Sequence, residues 1–210
     1  ISFTTVRDIN TTYDAKVRVR AGGATVPAKV RNYPRIQINP SVGFSLPFRM
    51  YSGYFADNVS FFASATPYTV SGTSTGRTSN TSDLFNSTNG LIANSSTAIV
   101  SIEWYGLFLP PLGTGTYTFS LTCDDAGYVW IGSNAVSGYT TTNALIQNGG
   151  THGDVEVTAT ISLVAGTYYP IRIQYGNTTG PTSFRLRYKL TSQPDGTYTS
   201  TGVNTYYYYI

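Results

Sequence analysis

Apolar and polar residues alternate along most of the chain from residue 98 onward, and this alternation is typical of half-buried β-strands. Turn-forming Gly, Pro, Asn and Asp residues separate the alternating segments. The segments predict strands over 98–108, 116–123, 128–131, 155–163, 169–175 and 184–190. Short strands at this spacing predict an all-β fold, an antiparallel and jelly-roll-like β-sandwich.

The two ends of the chain break this pattern and are predicted to be strand extensions of the sandwich. Residues 1–47 contain short apolar stretches punctuated by prolines, which restrict a strand to sheet edges or irregular backbone. This N-terminal extension either covers the sandwich with extra strands or forms an arm that pairs with a neighbouring subunit. The sandwich itself is predicted over 48–190, with a long loop over 71–97, and the C-terminal extension over 191–210.

Composition narrows the class of protein and its partners. Charged residues make up only 11% of the chain, and hydroxyl and amide groups supply most of its polarity, as in secreted adhesins and virion surface proteins. The formal charge of +3 is small and the basic residues are scattered, so no nucleic-acid partner is expected. No apolar run is long enough to span a bilayer, so membrane insertion is not expected. We therefore expect an extracellular or surface-exposed protein, on a cell or on a virion.

The single cysteine and the N-glycosylation sequons add little by themselves. Cys123 cannot form an internal disulfide, and it falls on the core face of its strand as a small buried hydrophobe. Sequons begin at Asn10, Asn58, Asn80, Asn86, Asn94 and Asn177. In a chain this rich in Ser and Thr many such triplets arise by chance, so the pattern alone does not predict glycosylation.

Asp124 and Asp125 form an adjacent acidic pair directly after the predicted strand 116–123. A second loop, 176–181, follows another predicted strand and carries Asn177. If the two strands lie side by side, two carboxylates and one amide oxygen converge, and these are ligands that calcium prefers. Neighbouring strand residues point to opposite faces, so both Asp side chains can hold one ion only where the backbone turns sharply, as a cis peptide allows. The alternative is an Asp-Asp turn without a metal.

Four blocks of the sequence resemble a known domain family in their order and spacing. They are 102–111, 115–125, 128–135 and 163–175, which read IEWYGLFLPP, GTYTFSLTCDD, YVWIGSNA and LVAGTYYPIRIQY. The chain from about residue 51 to residue 188 is similar to the sandwich domain first named from anthrax protective antigen. It most resembles the flocculin and GLEYA-type adhesin branch of that family.

This resemblance implies a set of metal ligands and a role for the metal. It implies that Asp124 and Asp125 are joined by a cis peptide and bind calcium, with Asn177 as the third side-chain ligand. Main-chain carbonyls near Thr179 and Pro181 would complete the shell. In the adhesin branch the calcium ion also binds sugar hydroxyls, so the resemblance implies a carbohydrate ligand at the same site.

The resemblance also implies that the loops 132–153 and 176–183 select the sugar. The first loop contains polar side chains able to hydrogen-bond a sugar and one tyrosine able to stack on a sugar face. The candidate ligand-binding residues are Asn134, Tyr139, Gln147, Asn148 and His152. The alternative for each of them is a loop residue that is simply exposed to solvent.

Two functions agree with these observations. One is a calcium-dependent carbohydrate-binding or adhesion module that recognises glycans or a glycoprotein surface. The other is a structural subunit or decoration protein of a virion capsid or tail, or of an extracellular filament, which assembles through its extensions. The apolar, tyrosine-rich tail 205–210 favours the second, because it needs burial. No enzymatic activity is expected. Glycoside hydrolysis needs two opposed carboxylates, but Glu103 and Glu156 lie on outward faces of predicted strands. Asp124 and Asp125 are a poor acid–base pair if both bind calcium.

Overall fold

A computed structural model of the chain describes residues 46–68, 75–78, 99–200 and 207–208. These residues belong to one compact unit, Val42–Ile210. The predictions for residues 1–45, for most of the loop 71–97 and for much of the C-terminal tail lie outside the described residues. All the candidate site residues lie within them.

Strands dominate the described residues, which confirms the predicted all-β class. Their bounds are β1 Leu46–Ser52, β2 Thr75–Thr78, β3 Val100–Phe108, β4 Gly115–Asp124, β5 Ala126–Ile131, β6 Ile146–Asn148, β7 Val155–Leu163, β8 Tyr169–Asn177, β9 Ser183–Leu190, β10 Thr199–Ser200 and β11 Tyr207–Tyr208. A short helix, α1, spans Ser133–Val136, and 3₁₀ turns lie at Phe61–Ala63 and Thr141–Asn143. None of the helices in the described ranges is long and apolar enough to cross a membrane.

The strands form two antiparallel sheets. The large sheet has the order β2-β1-β3-β8-β5-β6, and β11 pairs with β3 beside this path. The small sheet has the order β10-β9-β4-β7. The chain therefore passes between the sheets several times, for example from β4 to β5 and from β8 to β9. These crossings place loops from both sheets at the same end of the sandwich.

The core lies between the two sheets and uses the alternating apolar positions of the sequence. Its fully buried members include Val100, Ile102, Trp104, Tyr117, Phe119, Leu121, Cys123, Ile171, Ile173, Tyr175 and Leu186. Trp104 of β3 stacks on Phe184 of β9, with ring centroids 5.1 Å apart, so an aromatic pair joins the two sheets directly. The predicted burial of Cys123 is confirmed.

A second apolar cluster covers the outer face of the large sheet. Its buried members are Tyr51, Phe55, Phe62, Ala126, Tyr128, Trp130, Ala135 and Ala144. As a result β5 is buried on both faces. The segment that carries Phe55 packs directly on Gly176 of β8, where a Cβ atom would come within 2.5 Å of the Phe55 ring. Glycine at position 176 therefore lets this segment close over the sheet.

Three details of the sequence prediction change at the ends of the sandwich. β1 begins at Leu46, two residues inside the predicted N-terminal extension. The predicted loop 71–97 contains the strand β2, which pairs with β1. The C-terminal extension contributes to both sheets, because β10 pairs with β9 and β11 pairs with β3. The described parts of this extension therefore find strand partners within the same chain.

Candidate functional site

The acidic pair lies where the chain crosses from the small sheet to the large sheet. Asp124 is the last residue of β4, and Asp125 alone links it to β5. β5 pairs with β8, so the start of β5 lies beside Asn177 at the end of β8. The sequence left open whether β4 and β8 lie side by side, and they do not, because they belong to different sheets. Their ends nevertheless meet at one end of the sandwich, because β5 carries the acidic pair over to β8.

The carboxylate of Asp125 is buried and held by three donors. Only 5% of the residue is exposed. Its Oδ1 accepts the backbone N–H of His152 at 2.9 Å, and its Oδ2 accepts the N–H and the hydroxyl of Thr178 at 2.8 and 2.9 Å. The peptide bond between Asp124 and Asp125 is cis, the conformation that the family resemblance implies. A carboxylate offers about four acceptor positions, so one remains for a further contact.

The side chain of Asp124 differs sharply from that of Asp125. It is only partly buried, and its carboxylate accepts no hydrogen bond from the described residues. Its main-chain oxygen accepts the hydroxyl of Tyr175, which anchors the backbone at this point. Burial, and then the negative charges of Asp125 and Asp154, raise the pKa of the Asp124 carboxyl above its ordinary value, and His152 acts in the opposite direction. The end of the sandwich therefore carries a concentration of negative charge.

The loop between β8 and β9 supplies the other predicted ligands. Asn177 is fully buried at the end of β8. Thr179 and Pro181 lie in the exposed part of the loop. Between them Gly180 adopts a φ of +102°, which a residue with a Cβ rarely takes up. The structure thus places the predicted ligands Asp124, Asp125 and Asn177 at one end of the sandwich, with the Thr179–Pro181 backbone in the connecting loop.

The loop 149–154 is the third part of the site. Its His152 donates the backbone N–H to Asp125, and the His152 Nδ1 lies 2.7 Å from the oxygen of Gly153. The Nε2 atom of His152 is buried and has no hydrogen-bond partner in the described part of the chain. Asn148 is buried at the base of this loop and donates to the oxygen of Val155 at 2.9 Å and to Cys123 Sγ at 3.3 Å. His152 therefore lies at the acidic pair, and Asn148 packs beneath it.

The remaining predicted sugar contacts are not brought to the acidic pair. Asn134 and Tyr139 follow the far end of β5, and six strand residues separate the two ends by roughly 17 Å. The Tyr139 ring packs on Trp130 and lies 4.3 Å from the Arg172 guanidinium. Gln147 is exposed and donates to the oxygen of Thr142 at 3.1 Å. A role in ligand binding for Asn134, Tyr139 and Gln147 stays a prediction.

Three residues of the site were not identified from the sequence. Thr178 gives Asp125 two hydrogen bonds, and its position next to Asn177 was an available signal. Asp154 accepts the hydroxyl of Ser183 and adds its charge near Asp124. Asp57 accepts the N–H of Gly150 from a segment almost a hundred positions earlier in the chain. Nothing in the local sequence links Asp57 or Asp154 to the acidic pair.

The oxygen-rich donor set suits a hard cation. Within the described ranges, no three His, Cys, Asp or Glu side chains are grouped closely enough to hold a metal ion by themselves. A cation at this site must therefore combine the two carboxylates with amide and main-chain oxygens, which is the mixture that calcium accepts. Asp124, Asp125 and Asn177, with carbonyls of the 178–182 loop, provide that mixture.

The two sheets and the crossing at the acidic pair define a PA14-type β-sandwich. The chain superimposes on the PA14 domain of the antifreeze protein MpAFP with a TM-score of 0.56 and 16% identity, covering 87% of this chain and 96% of that one. It also superimposes on the epithelial adhesin 9 A domain of Candida glabrata with a TM-score of 0.53 and 16% identity, covering 80% and 90% of the two chains. That adhesin domain was solved in complex with Galβ1-4GlcNAc.

Sequence comparison finds similarity to one branch of this fold. Residues 100–190 match the GLEYA domain. The flocculation protein FLO9 of Saccharomyces cerevisiae is 33% identical over 122 residues, which are 52% of this chain and only 9% of the yeast protein. The resemblance to the PA14-type sandwich, and to its flocculin and GLEYA branch, is thereby confirmed.

Proposed function

We propose that this chain is a calcium-dependent glycan-binding module of a surface adhesin. The observation that carries the proposal is the contrast between the two carboxylates. Asp125 is immobilised by three donors, while the adjacent Asp124 carboxylate is partly exposed and accepts no hydrogen bond from the described residues. A carboxylate held in place beside one that is available for a ligand is a suitable arrangement for capturing a cation at a protein surface.

The chain's own residues would hold the ion and orient the ligand. Asp124 and Asp125 would bind it from the β4–β5 crossing, and Asn177 and the carbonyls near Thr179 and Pro181 from the β8–β9 loop. Calcium would supply a centre of high coordination number at which sugar hydroxyls act as further ligands. His152 would support the site through its backbone N–H, which donates to Asp125 Oδ1 and holds that carboxylate in place.

The relatives support the choice of a glycan as the partner. The GLEYA match places the chain beside flocculation proteins, and a structurally similar adhesin domain was solved with a galactose-containing disaccharide. The low charge content and the hydroxyl-rich composition of the chain also agree with an extracellular or cell-surface location. We accordingly propose adhesion to glycans or glycoproteins as the role of this module.

We also propose a binding role without catalysis, which the positions of the other acidic groups support. Glu103 forms an ion pair with Arg172 and accepts a hydrogen bond from Gln174 at 3.0 Å. Glu156 pairs with Arg187 at 2.9 Å. Both glutamates are thus engaged on the sheet faces, and burial raises the pKa of the Cys123 thiol, so a thiolate nucleophile is disfavoured.

The proposal predicts that calcium stabilises the protein. At a free concentration 100-fold above its dissociation constant, calcium should stabilise the folded state by about 2.7 kcal/mol, which raises the Tm by roughly 5–10 °C. Asp124→Asn and Asp125→Asn should abolish this shift and the retention of the protein on a galactoside resin. Differential scanning calorimetry in calcium and in excess chelator measures the first effect.

The matched control is Asp195→Asn. This variant removes the same charge from the loop that follows β9, where Asp195 pairs with Lys189 at 2.7 Å, so it should keep the calcium shift. Equal melting curves in calcium and chelator for the unmodified protein would contradict the metal site. A glycan array in both conditions then separates a calcium-bound lectin from a module that only uses the ion for stability.

A further inference from the structure

Two of the six N-glycosylation sequons begin at described residues, and they differ in accessibility. Asn177 is fully buried at the end of β8 and pairs with Val100 across the large sheet. Asn58 and Ser60 are both exposed, in the segment between β1 and the 3₁₀ turn Phe61–Ala63. Of these two asparagines, Asn58 is therefore the one that can carry a bulky group in the folded domain.

The Asn58 side chain accepts two hydrogen bonds from Ser60, the third residue of the same sequon. Its Oδ1 accepts the Ser60 hydroxyl at 2.7 Å and the Ser60 N–H at 3.1 Å. The Asn58 N–H donates to the oxygen of Phe55 at 2.9 Å, which holds the turn. The amide nitrogen Nδ2 donates no hydrogen bond to a described residue. The residue that carries the reactive atom of the sequon is thus exposed to solvent.

We propose that Asn58 is an N-glycosylation site. A membrane oligosaccharyltransferase would form a bond between Asn58 Nδ2 and C1 of the transferred sugar. The C1–O bond to a lipid-linked pyrophosphate breaks, and the amide proton leaves with the pyrophosphate. The attached glycan projects from a segment that is anchored by the buried rings of Phe55 and Phe62, so the core is undisturbed.

The test is peptide mapping by mass spectrometry of the full chain secreted from a yeast host. We expect a glycan on the Asn58 peptide that a peptide-N-glycosidase removes, with conversion of Asn58 to Asp. Asn58→Gln and Ser60→Ala should lose this glycan, and Ser60→Thr should keep it. The Asn177 peptide should be unmodified. An unmodified Asn58 peptide in the secreted protein overturns the proposal, whatever the other sequons carry.

A second inference concerns Asp57, the residue before this sequon, and does not depend on glycosylation of Asn58. Ala56 and Asp57 have φ values of +48° and +59°, an uncommon conformation for residues with a Cβ. It directs the Asp57 carboxylate to the loop 149–154, where the N–H of Gly150 lies 3.0 Å from Oδ2 and 3.3 Å from Oδ1.

The neighbouring Gly149 shows how closely the loop 149–154 packs against Tyr128 and Asp57. A Cβ atom at Gly149 would lie 1.9 Å from the Tyr128 hydroxyl oxygen and 3.1 Å from Asp57 Oδ1. Two residues beyond Gly150, the same loop donates the His152 N–H to Asp125. A continuous set of contacts therefore runs from Asp57 through the loop to the buried carboxylate of the acidic pair.

We infer that Asp57 is a positioning residue that sets the cation affinity of the acidic pair without touching the ion. The inference rests on the proposed calcium site. Asp57 holds Gly150, and the loop in turn holds the N–H group that fixes the Asp125 carboxylate. Residues one shell away from a metal typically change its affinity by about 10–100-fold when they are removed.

Calcium titration of the purified full chain by calorimetry tests the inference. Asp57→Ala should weaken calcium binding by about 10-fold or more, and Asp57→Asn, which keeps a neutral acceptor for Gly150, should recover only part of the lost affinity. Asp195→Ala is the control and should bind like the unmodified protein. Urea unfolding in excess chelator supplies the second readout, since a merely structural role would lower stability and leave the affinity unchanged.

The outcomes separate this inference from the proposed function. If the unmodified protein binds no calcium, the proposed function fails and the role of Asp57 falls with it. If the unmodified protein and Asp57→Ala bind calcium equally well, only the role of Asp57 is overturned. If Asp57→Ala does not fold, Asp57→Asn is the deciding variant. It should bind calcium more weakly than the unmodified protein, because a neutral acceptor holds Gly150 less tightly. A calcium affinity equal to that of the unmodified protein overturns the inference.

Discussion

Tyr117 shows how one residue joins the core to a turn. Its ring is fully buried between the sheets and makes edge contact with Phe108, with centroids 6.3 Å apart. Its hydroxyl donates to the oxygen of Gly113 and accepts the N–H of Leu112, each at 2.8 Å. The β3–β4 turn therefore depends on a side chain from the strand that follows it.

Tyr117→Phe should destabilise the protein by about 1–2 kcal/mol, because it leaves the Leu112 N–H and the Gly113 carbonyl without their partner. Urea unfolding monitored by fluorescence measures the change. Tyr169→Phe is the matched control, since the Tyr169 hydroxyl accepts the N–H of Val164 at an exposed turn, where water replaces it. A loss for Tyr117→Phe no larger than that of the control would contradict the role of this hydroxyl.

The buried tyrosines also predict a fall in stability at alkaline pH. Burial raises the pKa of Tyr117 above the ordinary value of 10.0, and burial with nearby negative charges raises the pKa of Tyr54 to about 12. Above pH 10 the unfolded chain has lost these protons while the folded chain still holds them, so stability decreases as the pH rises. Phenolate absorbance should show these tyrosines titrating late, together with unfolding. Tyr117→Phe should reduce the slope of stability against pH.

At the scale of the strand, alternation does not by itself determine burial. β7 alternates as clearly as β4, yet most of its apolar side chains are only partly buried, and Val155 is 42% exposed. β7 lies at the edge of the small sheet and pairs with β4 on one side, whereas β4 pairs with both β7 and β9. β5 deviates in the opposite direction, because the outer cluster buries its second face as well.

Two identical substitutions test this difference between strands. Val129→Ala in β5 should cost about 2 kcal/mol, because the residue is fully buried in the core and its removal leaves a cavity. Val155→Ala in β7 should change stability by less than about 0.5 kcal/mol. Chemical unfolding of the two variants side by side measures both values. Equal losses would show that the β7 edge is buried in solution.

At the scale of the whole molecule, the compact unit Val42–Ile210 predicts an independently folding protein. The chain from residue 42 to 210 contains every strand described here, including the terminal β10 and β11 that pair with the two sheets. We expect this fragment to unfold in a single cooperative transition and to keep the calcium-dependent shift in Tm. Calorimetry of the fragment and of the full chain measures both. A fragment that fails to fold would show that residues 1–41 belong to the core.

Particular residues show how much of the fold and of the site could be predicted from the sequence. The bounds of β7 were predicted as observed, and those of β3, β4, β8 and β9 within two residues, because period-2 patterns are local. Asp124, Asp125 and Asn177 were placed together from the family resemblance, and the structure brings them to one end of the sandwich. Asn134 and Tyr139 were proposed as sugar contacts because they lie in the loop 132–153, and the structure places them at the far end of β5 from the acidic pair.

The sequence by itself determined the strands and the core face of each, because these depend on residue type and on spacing along a few positions. It indicated the acidic pair as the candidate site only through the family resemblance. Only the tertiary structure decided which strands are neighbours, that β5 is buried on both faces, and that Asp57 and Thr178 support the acidic pair. Those features depend on contacts between residues far apart in the chain, such as Asp57 and Gly150. Such contacts form only when the sheets pack, so no local pattern records them.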